Sequence, residues 1–244
     1  YEREFHNPLF KNRLELPTTV GAPPPLLYDL TLDGKLWSEK RQRAVTLALY
    51  DTAGENFDKE DTVRQMVEYL RVASGIIFLI DPLQVPAVRD ALPSTVRLPD
   101  ADQMAEPNVI ISRVLRELER ERVVVQNAPL STPVAVALTK CDVLRDAGLI
   151  EPNRLWSTDK RHIGYFDTES HDDMAGMMGE YVQRWSQAVY NTVRRRFSRH
   201  AFFGVSATGC ASDKDTRRYK YISPWRVEDP LLWLLAELGV IPTR

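Results

Sequence analysis

Three apolar runs of this sequence, each typical of a β-strand, end in residues that can do chemistry. Asp51-Thr52-Ala53-Gly54-Glu55 follows the run that ends at Tyr50, Thr139-Lys140-Cys141-Asp142 follows the run 134–138, and Ser206-Ala207 follows the run 201–205. In α/β sheets, ligands bind outside the carboxyl ends of the strands. We therefore interpret the three motifs together, as parts of one ligand site.

The Thr139–Asp142 motif suits recognition of a guanine base. A carboxylate such as that of Asp142 accepts two parallel hydrogen bonds, and guanine offers two N–H groups on one edge, whereas adenine lacks that donor pair. The stem of Lys140 can lie over the base while its ammonium stays in a polar environment. The alternative is an ordinary solvated strand end, with Asp142 capping a short helix.

The Asp51–Glu55 motif suits a magnesium ion and a terminal phosphate. An Asp at a strand end holds the metal, usually through water, and the absence of a side chain at Gly54 lets a backbone N–H approach the phosphate. A plain turn after a strand is the competing interpretation, because Asp-x-x-Gly is a common pattern. In the third motif, a backbone N–H of the Ser206-Ala207 loop can donate to the guanine carbonyl.

The segments between these motifs alternate between strand and helix patterns. The sequence predicts strands at 25–33, 44–50, 75–80, 134–138 and 201–205, with the first two forming an antiparallel hairpin whose turn carries an insert, Lys35 to Arg43. It predicts helices at 61–71, 110–122 and 174–197, and a last helix with Asp229 as N-cap and Pro230 in its first turn. The continuous apolar run 75–80 indicates a strand buried on both faces, and 82–107 and 148–173 indicate long, irregular loops. The expected fold class is α/β, with helices on both faces of a sheet.

Composition excludes several other classes of protein. The 244 residues carry 32 basic and 34 acidic side chains, a net charge of −2, which gives no general attraction to nucleic acid or to anionic lipid. No apolar stretch is long enough for a membrane helix, and two cysteines make no disulfide framework. The expectation is one domain over 1–244 in a reducing, cytoplasmic setting, without a nucleic-acid partner or a membrane span.

The order of the motifs resembles that of the Ras-like GTPases of the TRAFAC class. Asp51 to Glu55 resembles switch II, Thr139 to Asp142 the guanine-specificity motif with Thr in place of the commoner Asn, and Ser206-Ala207 the base-closing motif. Upstream, Pro17 to Gly21 resembles switch I, in which Thr19 would bind magnesium; a plain loop explains that stretch equally well. The runs 49–57 and 226–235 also resemble GTPase domains of the bacterial double-GTPase type.

The resemblance implies a switch domain that binds GTP or GDP with Mg²⁺ and works with a protein effector or activator. Asp51 and Thr19 would bind the magnesium ion. The guanine base would be bound by Thr139, Lys140, Asp142, Ser206 and Ala207. Gly54 and Glu55 would act at the terminal phosphate.

Two departures from the GTPase pattern stand out. Nothing in 1–16 resembles the phosphate-binding loop Gly-x-x-x-x-Gly-Lys-Ser/Thr, whose amides and Lys hold the phosphates. The expected fold is therefore a P-loop NTPase fold that lacks its first strand, loop and helix, and a fragment of a longer chain is favoured over a domain that has lost phosphate binding. Glu55 stands where these enzymes often place a water-orienting Gln, which implies slow hydrolysis.

Two functional hypotheses follow from the sequence. The first is a slow GTPase switch whose loops near Thr19 and Gly54 reorder when the terminal phosphate is lost. The second is a pseudoGTPase without nucleotide, which keeps the fold as a protein-interaction module.

Overall fold

The computed structural model describes residues 2–16, 25–36, 39–49, 68–99, 106–120, 128–151, 165–213 and 215–244. The strands are β1 (Leu26–Leu36), β2 (Glu39–Leu49), β3 (Ile76–Ile80), β4 (Val134–Leu138) and β5 (His200–Gly204). The α-helices are α1 (Pro86–Arg89), α2 (Pro107–Arg120), α3 (Cys141–Asp146), α4 (Thr168–Trp185), α5 (Gln187–Arg196) and α6 (Asp229–Glu237). A π-helix occupies Glu2–Lys11 and a 3₁₀ turn occupies Pro82–Gln84.

A parallel sheet in the order β3-β4-β5 forms the centre of the described structure. Val134 in β4 pairs with Ile76 on one side and His200 on the other, and Leu138 pairs with Ile80 and Gly204. Parallel neighbours joined through helices place the carboxyl ends of all three strands at the same edge of the sheet. That edge is where the predicted motifs should lie.

Helices cover both faces of the central strand β4, every residue of which is buried. Val134, Val136 and Leu138 belong to the core shared with α2, α4 and α5, and the small side chains of Ala135 and Ala137 belong to the core under α6. This layering confirms the predicted α/β class and the buried strand at 134–138. Small side chains on one face let the large Trp233 of α6 pack close to the sheet.

The strand β3 differs from the prediction that both of its faces are buried. Ile77 is 37% exposed and Leu79 is 68% exposed, while Ile76 and Ile80 are buried. The physical reason is position, because β3 lies at the edge of the parallel sheet and α6 packs on β4. Among the described residues, β3 has no strand partner on its other side.

The first two strands form the predicted antiparallel hairpin, but without the predicted insert. Pairing runs without interruption from Leu26 with Leu49 to Leu36 with Glu39. The polar stretch from Lys35 to Arg43 therefore lies within strands, apart from positions 37–38. Cross-strand backbone pairing extends both strands through the region that was predicted to be the insert.

The predicted long helix 174–197 is two helices, and it begins earlier than predicted. Asp167 caps α4 by accepting a hydrogen bond from the Ser170 amide at 2.9 Å, so 168–173 is helical rather than irregular. The chain leaves the helical conformation at Ser186 (φ −148°, ψ 79°), where α5 starts afresh. The last helix has Glu228 rather than Asp229 at its N-cap, and Asp229 lies 3.4 Å from the Arg226 guanidinium instead.

The predicted helix at 110–122 is found at Pro107–Arg120, with its proline in the first turn. No helix in the described part of the chain is both long and apolar enough to cross a membrane.

Candidate functional site

Three strand ends converge at the carboxyl edge of the parallel sheet. Asp81 follows β3, Thr139 follows β4, and Ser206 comes two residues after the end of β5. Thr139 ties two of them together, since its amide donates to the Ile80 carbonyl at 2.9 Å and its hydroxyl to the same oxygen at 3.2 Å. The structure therefore brings the second and third predicted motifs to one place.

A relay of hydrogen bonds joins Asp142 to the Ser206 loop. The Gly209 amide donates to Ser206 Oγ at 2.8 Å, and the Ser206 hydroxyl donates to Asp142 Oδ1 at 2.6 Å. Ser206 is fully buried and Asp142 is 2% exposed. Because the Ser206 oxygen accepts from an amide, its own proton points at the carboxylate, and this fixes the carboxylate in place.

Lys140 bridges the ends of β3 and β4. Its ammonium lies 2.7 Å from Asp81 Oδ2, and its backbone adopts the left-handed conformation (φ 51°, ψ 33°). A non-glycine residue in that region stores backbone strain, a feature that concentrates at functional sites. The Lys140 side chain is 45% exposed, so its stem remains available to a ligand.

The segment after β5 (206–213 and 215–225) folds back as a hairpin. We call it the base-side hairpin because it carries the Ser206-Ala207 motif that the sequence predicts to contact a base. Ser206 and Trp225 exchange backbone hydrogen bonds at 3.0 and 2.7 Å, and the Ser223 amide donates to the Thr208 carbonyl at 2.9 Å. Gly209 (φ 77°) is required in this hairpin, because a Cβ there would lie 2.4 Å from the Ser223 carbonyl oxygen. Ala207 is exposed on the hairpin, and no hydrogen bond among the described residues uses its amide.

The two thiols near the site differ in environment. Burial raises the pKa of the Cys141 thiol to about 12, against a smaller opposing effect of the hydrogen bond from its neighbour Val205. Cys141 Sγ donates to the Leu138 carbonyl at 3.3 Å, whereas Cys210 is only half-buried. Cys141 is thus a packing residue beneath the site rather than a nucleophile.

The candidate residues for phosphate and metal lie outside the described part of the chain. These are Thr19, Asp51, Gly54 and Glu55. Among the described residues, no group of three or more His, Cys, Asp or Glu side chains is arranged to hold a metal ion. The other predicted residues lie within the described ranges, near the carboxyl edge of the sheet: Thr139, Lys140, Asp142, Ser206 and Ala207.

Sequence reasoning missed Asp81, Gly209 and Trp225 as members of this site. Asp81 could have been found, because it follows a strand end as Thr139 does and it precedes a proline that stops the strand. Gly209 and Trp225 carried no such signal, since their roles depend on a hairpin formed after β5.

A separate cavity of about 510 Å³ lies at the other end of β5. His200, Ala201 and Phe202 line it together with residues of α4, α5 and α6, including His171 and Trp233. The cavity is at the amino end of the strand, whereas the motif residues lie beyond its carboxyl end. It is therefore not part of the candidate site.

Comparison with known proteins gives a distant similarity. No protein-family model matches the chain. The chain is similar to a Mycolicibacterium smegmatis protein described as "Putative ESX-1 scaffolding and assembly protein SaeC", with 24% identity over 264 aligned residues. The match covers 99% of this chain and 64% of that relative, so the chain spans less than two thirds of the relative's length.

Proposed function

We propose that this chain is a guanine-nucleotide-binding switch domain, which binds GTP or GDP with Mg²⁺ and hydrolyses GTP slowly. The observation that carries the proposal is the relay from Gly209 through Ser206 to Asp142. It joins two motifs 64 residues apart in the chain, at the edge of the sheet where α/β proteins bind ligands.

The base end has the chemistry that guanine requires. An ionised Asp142 accepts hydrogen bonds and donates none. Ser206 holds its carboxylate in place, so the carboxylate is organised to accept from the N1–H and the exocyclic N–H of guanine. The Lys140 stem would lie along the base, and the Ala207 amide would donate to the guanine carbonyl. Adenine would present an acceptor where Asp142 needs a donor, and we therefore expect ATP to be rejected.

The phosphate end rests on residues outside the described ranges. Thr19 and Asp51 would hold the magnesium, which supplies positive charge to the phosphates, and Gly54 would approach the terminal phosphate. The open edge of β3 and the exposed Ile77 and Leu79 would accommodate one more parallel strand and its helix, the unit that carries the phosphate-binding loop in Ras-like folds. The proposal for the fold is thus a Ras-like three-layer domain completed at this edge.

The proposed hydrolysis is slow because of Glu55. A carboxylate in the place of a water-orienting Gln repels the terminal phosphate, so we expect a low rate without a partner and a higher rate with an activating partner. A single-turnover rate that matches stimulated GTPases, measured without any partner, would refute this part.

The alternative function is a protein-interaction module that binds no nucleotide. It is favoured by the scaffolding and assembly role in the description of the M. smegmatis relative. The two functions differ in whether the chain binds a nucleotide, so a binding measurement separates them. Either one fits a reducing cytoplasm, because both described cysteines are free thiols.

The test is an exchange of base specificity at Asp142. Xanthine keeps the N1–H of guanine but has a carbonyl in place of the exocyclic amine, so Asp142→Asn should favour XDP over GDP. Ser206 directs the amide of that variant, because its hydroxyl donates to the oxygen and leaves the NH₂ facing the base. Calorimetry of the full polypeptide with GDP, XDP and ADP, in the presence of magnesium, measures the change.

We expect wild type to prefer GDP over XDP and ADP, and Asp142→Asn to lose roughly 100-fold in GDP affinity while gaining XDP affinity. A matched control is Asp146→Asn on the same helix, whose carboxylate pairs with Arg145 and is exposed. A wild-type protein that is folded and binds no guanine nucleotide would refute the switch and leave the interaction module.

A further inference from the structure

A short segment near the amino terminus, residues 12–16, crosses the tip of the base-side hairpin. The Tyr219 amide donates to the Arg13 carbonyl at 2.8 Å, and the Glu15 amide donates to the Arg217 carbonyl at 3.1 Å. Leu14 and Arg218 form the antiparallel bridge between these two bonds. Arg13 adds a side-chain bond to the Lys220 carbonyl at 2.7 Å, so 12–16 acts as a third strand beside the hairpin.

Glu15 is the centre of the polar contacts in this crossing. Its carboxylate accepts a hydrogen bond from the Ser212 hydroxyl, and it lies 3.8 Å from Arg217 and 3.8 Å from Arg97. One side chain therefore connects both arms of the hairpin with the segment after α1. Its own exposed fraction is 27%, which keeps these contacts partly shielded from solvent.

The crossing is held under backbone strain. Arg13 and Arg217 both have positive φ, 56° and 52°, and neither is a glycine. Each such residue is less stable in this conformation than in ordinary backbone, because its Cβ crowds the following carbonyl oxygen. A contact made with that cost is easier to open than a regular strand pair of the same length.

The base of the hairpin contacts the carboxylate that the proposed function uses. Ser206, at its base, holds Asp142, and Asp142 is only 2% exposed. Tyr219, at the crossing, is half-buried; burial raises the pKa of its phenol, as do, to a smaller extent, the charges of Glu15 and Asp142. The phenol thus lies within electrostatic reach of both carboxylates.

We propose that residues 12–16 are a clasp that holds the base-side hairpin closed over Asp142, with Glu15 as its positioning residue. This inference rests on the proposed function for its ligand, a guanine nucleotide. The clasp opens to admit the base and closes after it, with the Ser206–Trp225 pair as the fixed end of the hairpin.

The first test measures local opening and needs no nucleotide. Glu15→Ala should raise hydrogen exchange about tenfold at the Tyr219 amide, since it removes one hydrogen bond and two partly exposed ion pairs. Exchange at the Ser206 and Trp225 amides should not change, because they lie at the fixed end. Glu15→Gln retains an acceptor for Ser212, so its exchange rate at the Tyr219 amide should lie between those of wild type and Glu15→Ala. The matched control is Glu180→Ala, an exposed residue of α4.

The second test measures the kinetics of a fluorescent GDP analogue. If the clasp must open both for the nucleotide to bind and for it to leave, Glu15→Ala should raise the association rate and the dissociation rate several-fold each. The affinity, which is their ratio, should change less. A merely structural effect would raise the dissociation rate alone. Ser212→Ala should reproduce the effect of Glu15→Ala in weaker form.

Two results would overturn the clasp. One is unchanged exchange at Tyr219 in Glu15→Ala, and the other is an equal rise at Tyr219 and Trp225, which would mean general destabilisation. If wild type binds no guanine nucleotide, the proposed function fails, and the exchange experiment alone decides whether the clasp exists.

Discussion

Ser206→Ala is the most informative single change for the architecture of the site, because Ser206 is fully buried and holds both ends of the relay. Its removal leaves the Gly209 amide, which is buried, without its acceptor at 2.8 Å. An unsatisfied buried amide costs about 1–3 kcal/mol. The bond to the Asp142 carboxylate at 2.6 Å is charge-assisted, and such bonds contribute about 1.5–3 kcal/mol.

The two losses share one atom and are not fully additive, so we expect Ser206→Ala to lower the free energy of unfolding by roughly 3 kcal/mol. Urea denaturation followed by tryptophan fluorescence measures it, with the slope m checked for two-state behaviour. The control is Ser198→Ala, which removes one hydroxyl that donates to the neutral Leu130 carbonyl at 2.9 Å. That change should cost about 1 kcal/mol or less.

A double-mutant cycle isolates the pair itself. Asp142→Ala together with Ser206→Ala should cost less than the sum of the single changes, by about 1–3 kcal/mol. If Ser206→Ala proves no more harmful than Ser198→Ala, or if the cycle shows no coupling, the relay is not what holds Asp142 and the argument for a preorganised base site is wrong.

The other predictions concern the hairpin and the thiols. Gly209→Ala should lower the free energy of unfolding by roughly 3 kcal/mol, because it adds left-handed strain and a clash with the Ser223 carbonyl. Gly148→Ala, which is also left-handed but has open space around it, should lower it by about 1–2 kcal/mol. Equal effects of the two changes would contradict the clash. In the native protein at pH 8, a thiol reagent should modify Cys210 and leave Cys141 untouched, so Cys210→Ala should abolish labelling. Burial holds the Cys141 pKa at about 12, above its ordinary value of 9.0, so its stabilising effect is complete below pH 9 and is lost as the pH rises toward 12. We expect the unfolding free energy to fall by roughly 1 kcal/mol between pH 9 and pH 10 in wild type and in Cys210→Ala, and to fall less in Cys141→Ala. If Cys141→Ala shows the same dependence on pH as wild type, other groups cause that dependence.

Local sequence pattern was sufficient for the elements that are either uniformly apolar or clearly bounded. The run 134–138 is apolar throughout, and it is the central, fully buried strand. The prediction failed where the answer depended on neighbours in space. The run 75–80 is equally apolar, yet Leu79 is 68% exposed, because its environment is decided by which strands and helices lie beside it.

The same division holds within the predicted helix 174–197. Its apolar spacing is continuous, so periodicity gave no reason to divide it. The break at Ser186 leaves the Tyr190 amide bonded to the Ser186 carbonyl, and it lets α4 pack on β5 while α5 packs on α2. Tertiary packing decided where the helix stops, because a Ser adopts helical and extended backbone at similar cost.

For the site, the sequence by itself determined which residue types follow the strands: a carboxylate at Asp142, a flexible cation at Lys140 and a hydroxyl at Ser206. These are chemical identities, and no fold can change them. Only the tertiary structure decided that Ser206 bonds Asp142, that Lys140 bonds Asp81, and that residues 12–16 lie on a hairpin 207 positions away from Arg13. The first two contacts form because parallel strands bring their carboxyl ends to one edge, and the third forms because the chain returns across the hairpin. The separation of two residues in the sequence contains no information about either distance in space.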